Sequence, residues 1–366
     1  MNLDLEEIIT QFQVDGTVIS LAPYGTGHIN QTYLAIIQED GGGMQNFILQ
    51  HINAHVFLEP EKVMANIARI TTHLKQKIRQ MDGDPSRETL TFIPAQNGRF
   101  FHKTAAGDYW RLERFIDNAQ TYTHAPTLAH YYEAAYAYGR FQTMLADFPL
   151  DQLHETIPHF HHTEKRLLGL ETAVAQNKAQ RLSHANAEIN FIRDRTAMAP
   201  ILTNLQISGQ IPLRVVHNDT KLDNVMFDNH TNKGICVIDL DTVMPGIALF
   251  DFADAVRSGT NRAAEDEPDT SQVTFALEIY DQIAHGFLDA TRLTLTALEI
   301  DHLAFAARLI VYEQAVRFLT DYLNGDIYYK TTHPQQNLQR ARTQIKLLQL
   351  MEANQTEMTT IIDQYR

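Results

Sequence analysis

The sequence predicts an α+β fold with strands gathered in the first third of the chain and helices in the rest. Three observations predict it. Short apolar runs separated by glycine-bearing turns fill the stretch before residue 117. After Asp117 the composition shifts to helix formers with amphipathic periods. The chain has 366 residues, enough for two lobes with separate cores. We expect a smaller β-rich lobe at 1–116 and a larger, mainly helical lobe at 117–366.

Taken in order, MNLDLEEIITQF reads as an acidic, amphipathic first helix without the basic and apolar regions of a signal peptide. Val18–Ala22 and Thr32–Ile37 read as strands. Between them Gly25, Thr26 and Gly27 form a turn whose backbone N–H groups can approach phosphates, with Asn30 and Thr32 as added side-chain donors. The triple glycine at 41–43 marks a hairpin turn, and Asn46–Asn53 is a third strand. In Glu59–Arg79, Pro60 sits in the first helical turn. Val63, Ile67, Ile70, Leu74 and Ile78 recur at three and four, which marks one buried face. Glu61 is read as a first-turn acid facing the helix dipole. Two more strands follow at Leu90–Pro94 and Tyr109–Phe115, with turns at Asn97–Gly98 and Ala106–Gly107. Trp110 is a core candidate.

Past residue 117, Thr127–Phe148 is a long helix and further helices run to about Leu205. Pro245–Gly246 reads as a turn and Gly259–Thr270 as a polar surface loop. Val273–Leu288, Thr294–Thr320 and Pro334–Arg366 read as helices. His154, His159, His161 and His162 cluster, but without the i, i+4 pair or cysteine partner of a zinc site. At Arg317–Tyr329 an arginine, an acid and several tyrosines gather where a helix ends.

The chemistry concentrates in Val215–Asp254. Acidic side chains against buried β-runs are costly unless something neutralises them, and Mg2+ accepts carboxylate and amide oxygens. Asp219 heads a turn, placed to accept a proton from a hydroxyl nucleophile. Asn224 offers an amide oxygen. Asp239 ends the apolar strand GICVID, with Asp241 two residues on. One base, a neutral ligand and an anionic ligand are the parts that phosphoryl transfer needs.

His217-x-Asp219-x4-Asn224 followed by Ile238-Asp239-x-Asp241 resembles the aminoglycoside phosphotransferase and choline kinase superfamily. HNDTKLDN, VIDLDTVMPG and DFADAVR resemble its N-acetylhexosamine 1-kinase branch. The resemblance implies a bilobal, protein-kinase-like fold: a small antiparallel β N-lobe (1–116) that binds nucleotide and a larger helical C-lobe (117–366) that carries catalysis and the acceptor. It implies ATP and Mg2+ as cofactors, Asp219 as the base, and Asn224, Asp239 and Asp241 as metal ligands. Gly25, Thr26, Gly27, Gln50 and the hinge residues Glu113 and Phe115 would lie on the nucleotide. Asp219, Asp239, Arg317, Tyr328 and His161 would lie on the acceptor, with Thr156 near His161, and Asp251 would brace the catalytic loop. The sequence departs from the family at Gln50, where the third strand usually carries a phosphate-pairing lysine; the hexosamine branch tolerates glutamine there. The acceptor implied is an N-acetylhexosamine phosphorylated at its anomeric hydroxyl. The alternatives are a kinase for choline, another amino alcohol or an aminoglycoside, and a non-catalytic binding module suggested by Gln50.

Composition bounds these readings. Hydrophobic residues make up 44% and charged residues 20%, as in ordinary globular proteins. A net charge of −14 argues against a nucleic-acid partner, which needs a basic face. The one cysteine, Cys236, lies in an apolar strand and reads as a packing residue. No apolar run reaches the length of a membrane span. We therefore expect a cytoplasmic protein, monomer or homodimer, whose partners are ATP and a small sugar.

Overall fold

The computed structural model describes residues 5–25 and 30–366. In chain order its elements are α1 (Leu5–Thr10), β1 (Thr17–Pro23), β2 (Gln31–Gln38), β3 (Met44–Ile52), α2 (Pro60–Gln80), α3 (Pro85–Glu88), β4 (Phe92–Ile93), β5 (His102–Lys103), β6 (Tyr109–Arg114), β7 (Ala119–Gln120), α4 (Leu128–Met144), α5 (Thr163–Gln176), α6 (Asn186–Arg193) and α7 (Ile201–Ile207). Then come β8 (Arg214–Val216), β9 (Val225–Asp228), β10 (Gly234–Val237), β11 (Met244–Gly246), α8 (Leu249–Gly259), α9 (Leu277–Thr291), α10 (Ala297–Asp301), α11 (Leu303–Asn324), α12 (Gln336–Ala353) and α13 (Gln355–Tyr365). This is the α+β class that the sequence predicts. The chain forms two compact units. Unit 1 comprises Met1–Gln120, Asp147–Ile157 and Met226–Pro245; unit 2 comprises Thr121–Ala146, Pro158–Val225 and Gly246–Arg366.

Unit 1 is built on an antiparallel sheet in the order β1-β2-β3-β6-β4, with β5 also paired to β6. Gly42, at φ +89°, turns the β2–β3 hairpin where the triple glycine lies. Side chains alternate between faces. Phe47, Leu49, Trp110 and Leu112 share one face and pack with Ile8, Ile9 and Phe12. In register across the other face stand Thr32, Gln50 and Arg111. The apolar positions read on α2 are all buried. Its Asn66 donates to the carbonyls of His154 (2.8 Å) and Val243 (3.0 Å), tying two distant chain segments into the unit.

Unit 2 is helical, with α11 buried along most of its length. Its main departures from the sequence reading are breaks in long helical periods. Thr296 and Glu299 form a capping box that starts α10 afresh, and α11 begins only after His302. The expected helix Pro334–Arg366 divides at Asn354, whose side-chain amide donates back to the Leu350 carbonyl at 2.8 Å. Side-chain-to-backbone bonds of this kind compete with helix continuation. Pro245–Gly246, expected as a turn, is extended strand. The glycine serves packing there, because a Cβ at 246 would lie 2.5 Å from Val216 Cγ2. Among the described residues no helix is long and apolar enough to cross a membrane.

α4 and α9 approach at Gly139 and Gly286. A Cβ on Gly286 would stand 2.2 Å from the Tyr132 carbonyl oxygen, and one on Gly139 2.9 Å from that of Phe287. Helix propensity favours alanine over glycine by about 1 kcal/mol, yet backbone atoms cannot yield as a flexible side chain would. Gly286→Ala should therefore destabilise the protein by about 1–3 kcal/mol, read as a lowered denaturant midpoint. A midpoint raised by the substitution would show that the two helices do not meet there.

Candidate active site

In unit 2, β8 delivers the chain into His217–Asn224. The loop is held from beneath by α8. Asp251, 1% exposed, accepts the backbone N–H of His217 at 2.9 Å and of Asn218 at 2.8 Å, and the side-chain amide of Gln142 at 2.7 Å. Burial pushes its carboxyl up, against the pull of His217 and these N–H donors. Asp254 accepts Thr220 N–H at 3.0 Å and pairs with Arg257 at 2.7 Å. Burial works to raise the Asp254 carboxyl, but Arg257, with His161 and Lys221 beyond it, holds it below the usual carboxylate range. The loop needs these anchors because Asn218 sits at φ +68°, a left-handed conformation that asparagine tolerates better than most residues.

The held loop presents Asp219. Its Oδ2 accepts from the Asn224 amide at 3.0 Å and lies 3.2 Å from Lys221 Nζ, and the carboxylate keeps 30% exposure. The same Asn224 nitrogen donates to the Asp219 carbonyl at 2.9 Å. With its nitrogen committed, Asn224 has its amide oxygen left for a cation. A carboxylate and an amide oxygen are hard donors of the kind Mg2+ prefers.

In unit 1, Asp239 follows β10 at φ +57° and opens the single turn Leu240–Thr242. Asp241, expected as a metal ligand, is internally engaged. Arg111 Nη1 donates to its Oδ1 and Nη2 to its Oδ2 at 3.2 Å, while Asn30 Nδ2 donates to Oδ2 at 2.6 Å. Arg111 Nε donates to Gln50 Oε1 at 2.8 Å, and Gln50 Nε2 to Thr32 Oγ1 at 3.1 Å. Gln50, Asn30 and Thr32, read from the sequence as groups facing a nucleotide, are thus joined in one polar network.

Among the other expected nucleotide contacts, Gly25 has φ +76°, and a Cβ there would meet nothing within 4 Å, so its requirement is conformational. Thr26 and Gly27 lie outside the described residues. The Phe115 N–H donates to the Asn46 carbonyl at 3.1 Å, and its ring meets Tyr24 edge-on at 5.9 Å. Burial pushes the Glu113 carboxyl up to about 7, against Arg111 and with the help of Asp241.

Also in unit 2, His161 is covered by Phe250 at 4.8 Å between ring centroids, and its Nδ1 lies 2.9 Å from Glu313 Oε1. Its Nε2 is buried without a hydrogen-bond partner among the described residues, as is Nε of Arg166. Arg317 lies over Phe160 at 5.3 Å and Tyr329 at 5.9 Å. Tyr328 is 61% exposed, but its backbone is fixed: buried Asp321 accepts the N–H groups of Ile327, Tyr328 and Tyr329 at 2.9–3.0 Å. Thr156, by contrast, falls in unit 1. Of the four histidines, His154 belongs to unit 1 and the other three to unit 2, where the His159 and His162 rings meet edge-on at 5.7 Å. Among the described residues no three His, Cys, Asp or Glu side chains are grouped to hold a metal.

The partners missed in the sequence are Arg111 and Glu313, together with the role of the acid at Asp321 as an anchor for the backbone that follows it. A charged residue inside an apolar period was the available signal, as in YWRLER and LIVYEQAV, for a buried charge requires a counter-charge.

Residues 20–285 match the phosphotransferase enzyme family. Solved structures share the fold. An aminoglycoside phosphotransferase from Alicyclobacillus acidocaldarius superposes with a TM-score of 0.62 at 10% identity, covering 100% of this chain and 98% of the other. The amicoumacin kinase hAmiN gives 0.59 at 12% identity, covering 94% and 93%. An ethanolamine kinase from Plasmodium vivax gives 0.54 at 11% identity, covering 91% and 83%. The kinase-like α+β architecture is thereby established, and the chain belongs to the phosphotransferase enzyme family.

The raised Glu113 group gives a pH test. A carboxyl whose folded pKa lies above its ordinary 4.5 binds more protons folded than unfolded, so its contribution to stability is present below about 4.5 and lost as pH rises through about 7. The melting temperature of wild type relative to Glu113→Gln should fall across that window and level off above it. A flat difference would show the carboxyl to be unshifted.

Proposed function

We propose that the protein is an ATP-dependent small-molecule kinase that phosphorylates a hydroxyl of a sugar, with the anomeric hydroxyl of an N-acetylhexosamine such as GlcNAc or GalNAc as the reading favoured by the sequence resemblance. The observation that carries the acceptor reading is the group of His161, Arg166 and Arg317 in unit 2. It combines two buried nitrogens without a hydrogen-bond partner among the described residues, His161 Nε2 and Arg166 Nε, with the Arg317 guanidinium and the rings of Phe160 and Tyr329 beside it. Hydroxyl-rich molecules, which both donate and accept, suit such fixed polar groups beside flat faces. Arg317 would repel choline or a cationic aminoglycoside, and these acceptors would call for acids or an aromatic cage. Nucleotide use is supported by family membership and by hAmiN, whose structure holds AMP-PNP and Ca2+.

Mg2+ bound with ATP would neutralise phosphate oxygens. Asn224 and Asp239 are the proposed oxygen donors for it. Asp219 orients the acceptor hydroxyl and takes its proton, while Lys221 and the Asn224 amide fix the direction of that carboxylate. The hydroxyl oxygen attacks the γ-phosphorus, the bond to the β–γ bridging oxygen breaks, and ADP leaves. Gly25 and the 1–116 region are assigned to the nucleotide, and Arg317, Tyr328 and His161 to the acceptor. A soluble, cytoplasmic enzyme using no nucleic-acid partner fits this chemistry.

The test is ADP release across sugars, amino sugars, choline and aminoglycosides. N-acetylhexosamines should give the highest kcat/KM. Asp219→Asn should lower kcat about 10²–10⁴-fold with an unchanged melting temperature. Arg317→Met should raise the sugar KM by roughly 10-fold or more without changing that for ATP. Turnover with choline but with no sugar would overturn the acceptor reading, and turnover with nothing would favour a binding module.

A further inference from the structure

Arg111 is nearly inaccessible, yet its guanidinium is fully directed. Nε goes to Gln50, and both Nη atoms go to Asp241. Asp241 is itself 1% exposed at the side chain, so its negative charge has no water to stabilise it. It belongs to the turn Leu240–Thr242, which starts directly after Asp239 in its left-handed conformation. Asn30 adds a second hold on Asp241 and is itself fixed, its Oδ1 accepting the Asn53 N–H at 3.0 Å. The turn next to the proposed Mg2+ ligand is therefore clamped by one cation from β6. Gln50 complements that cation: its carbonyl accepts from Arg111, whereas a lysine there would set two positive charges side by side in the register β3–β6.

We propose that Arg111 is a positioning residue for phosphoryl transfer, fixing Asp241 and through it the direction in which Asp239 is presented to Mg2+. The inference rests on the kinase reading above. It also gives the absence of a lysine at residue 50 a physical account: the positive charge of this sheet is carried by β6 instead of β3. The planar fork suits the task, since two parallel N–H groups fix the orientation of a carboxylate where an ammonium would fix only its distance.

The readout is Mg2+-dependent ADP binding by titration calorimetry, with the acceptor KM and the melting temperature measured alongside. Supporting groups behind a metal ligand typically matter about 10- to 100-fold in metal affinity. Arg111→Gln should weaken Mg2+-dependent ADP binding by that amount and leave the acceptor KM unchanged. Arg111→Lys, which retains the charge and guards against a failure to fold, should lose less in the same direction. Gln50→Lys combined with Arg111→Gln should recover part of the loss. Native Mg2+ dependence in Arg111→Lys and in any folded Arg111→Gln would overturn the inference. So would a loss that neither lysine variant relieves. Wild-type protein that neither binds Mg2+–ADP nor turns over would instead sink the kinase reading, and this inference with it.

Discussion

A carboxylate removed from water demands donors, and Asp251 meets that demand with the backbone of the His217–Asn224 loop. Its oxygens take the N–H groups of His217 and Asn218, and Gln142 closes the set. Charge-assisted bonds of this type are among the stronger ones a fold can make. The loop has no regular ladder of its own, so its shape is inherited from α8, which carries both Asp251 and Asp254. The exposure of Asp219 follows from that. The proposed base keeps access to solvent because the residues around it are tied down.

Unit 1 repeats the logic with a different partner. Asp241 is neutralised by a guanidinium from β6, and the chain of contacts runs through Gln50 to Thr32 and through Asn30 to the Asn53 backbone. This row occupies one face of the sheet. The opposite face is apolar and packs on α1. The strict two-residue alternation of strands separates the two environments, so a polar network and a hydrophobic core share the same short strands.

The surroundings of His161 and Tyr328 in unit 2 show a third use of buried charge. Glu313 lies fully buried on α11, bonded to His161 and to Thr163 at 2.7 Å. Burial works to raise the Glu313 carboxyl, but His161, Thr163 and Arg317 hold it below its ordinary value. Asp321, two turns further along α11, pins the Ile327–Tyr329 backbone. One helix thus anchors both the histidine and the tyrosine segment, which the sequence places more than 165 residues apart.

The sequence by itself determined the elements and the chemistry-bearing motif. The period of α2, the β2–β3 hairpin with its glycines, and His217-x-Asp219-x4-Asn224 are all local patterns, set by propensities and spacings within a few residues. Asn218 and Asp239 were even suited by type to the left-handed positions they occupy. What only the tertiary structure decided were the partners: Arg111 for Asp241, Glu313 for His161, Asp321 for the tyrosine loop, and the helix breaks at Thr296 and Asn354. A counter-charge or a capping contact is chosen by proximity after folding. Residues 130 positions apart in the chain carry no mutual signal in a single sequence. That is why Gln50 looked like a gap, when the structure places a cation beside it on the next strand.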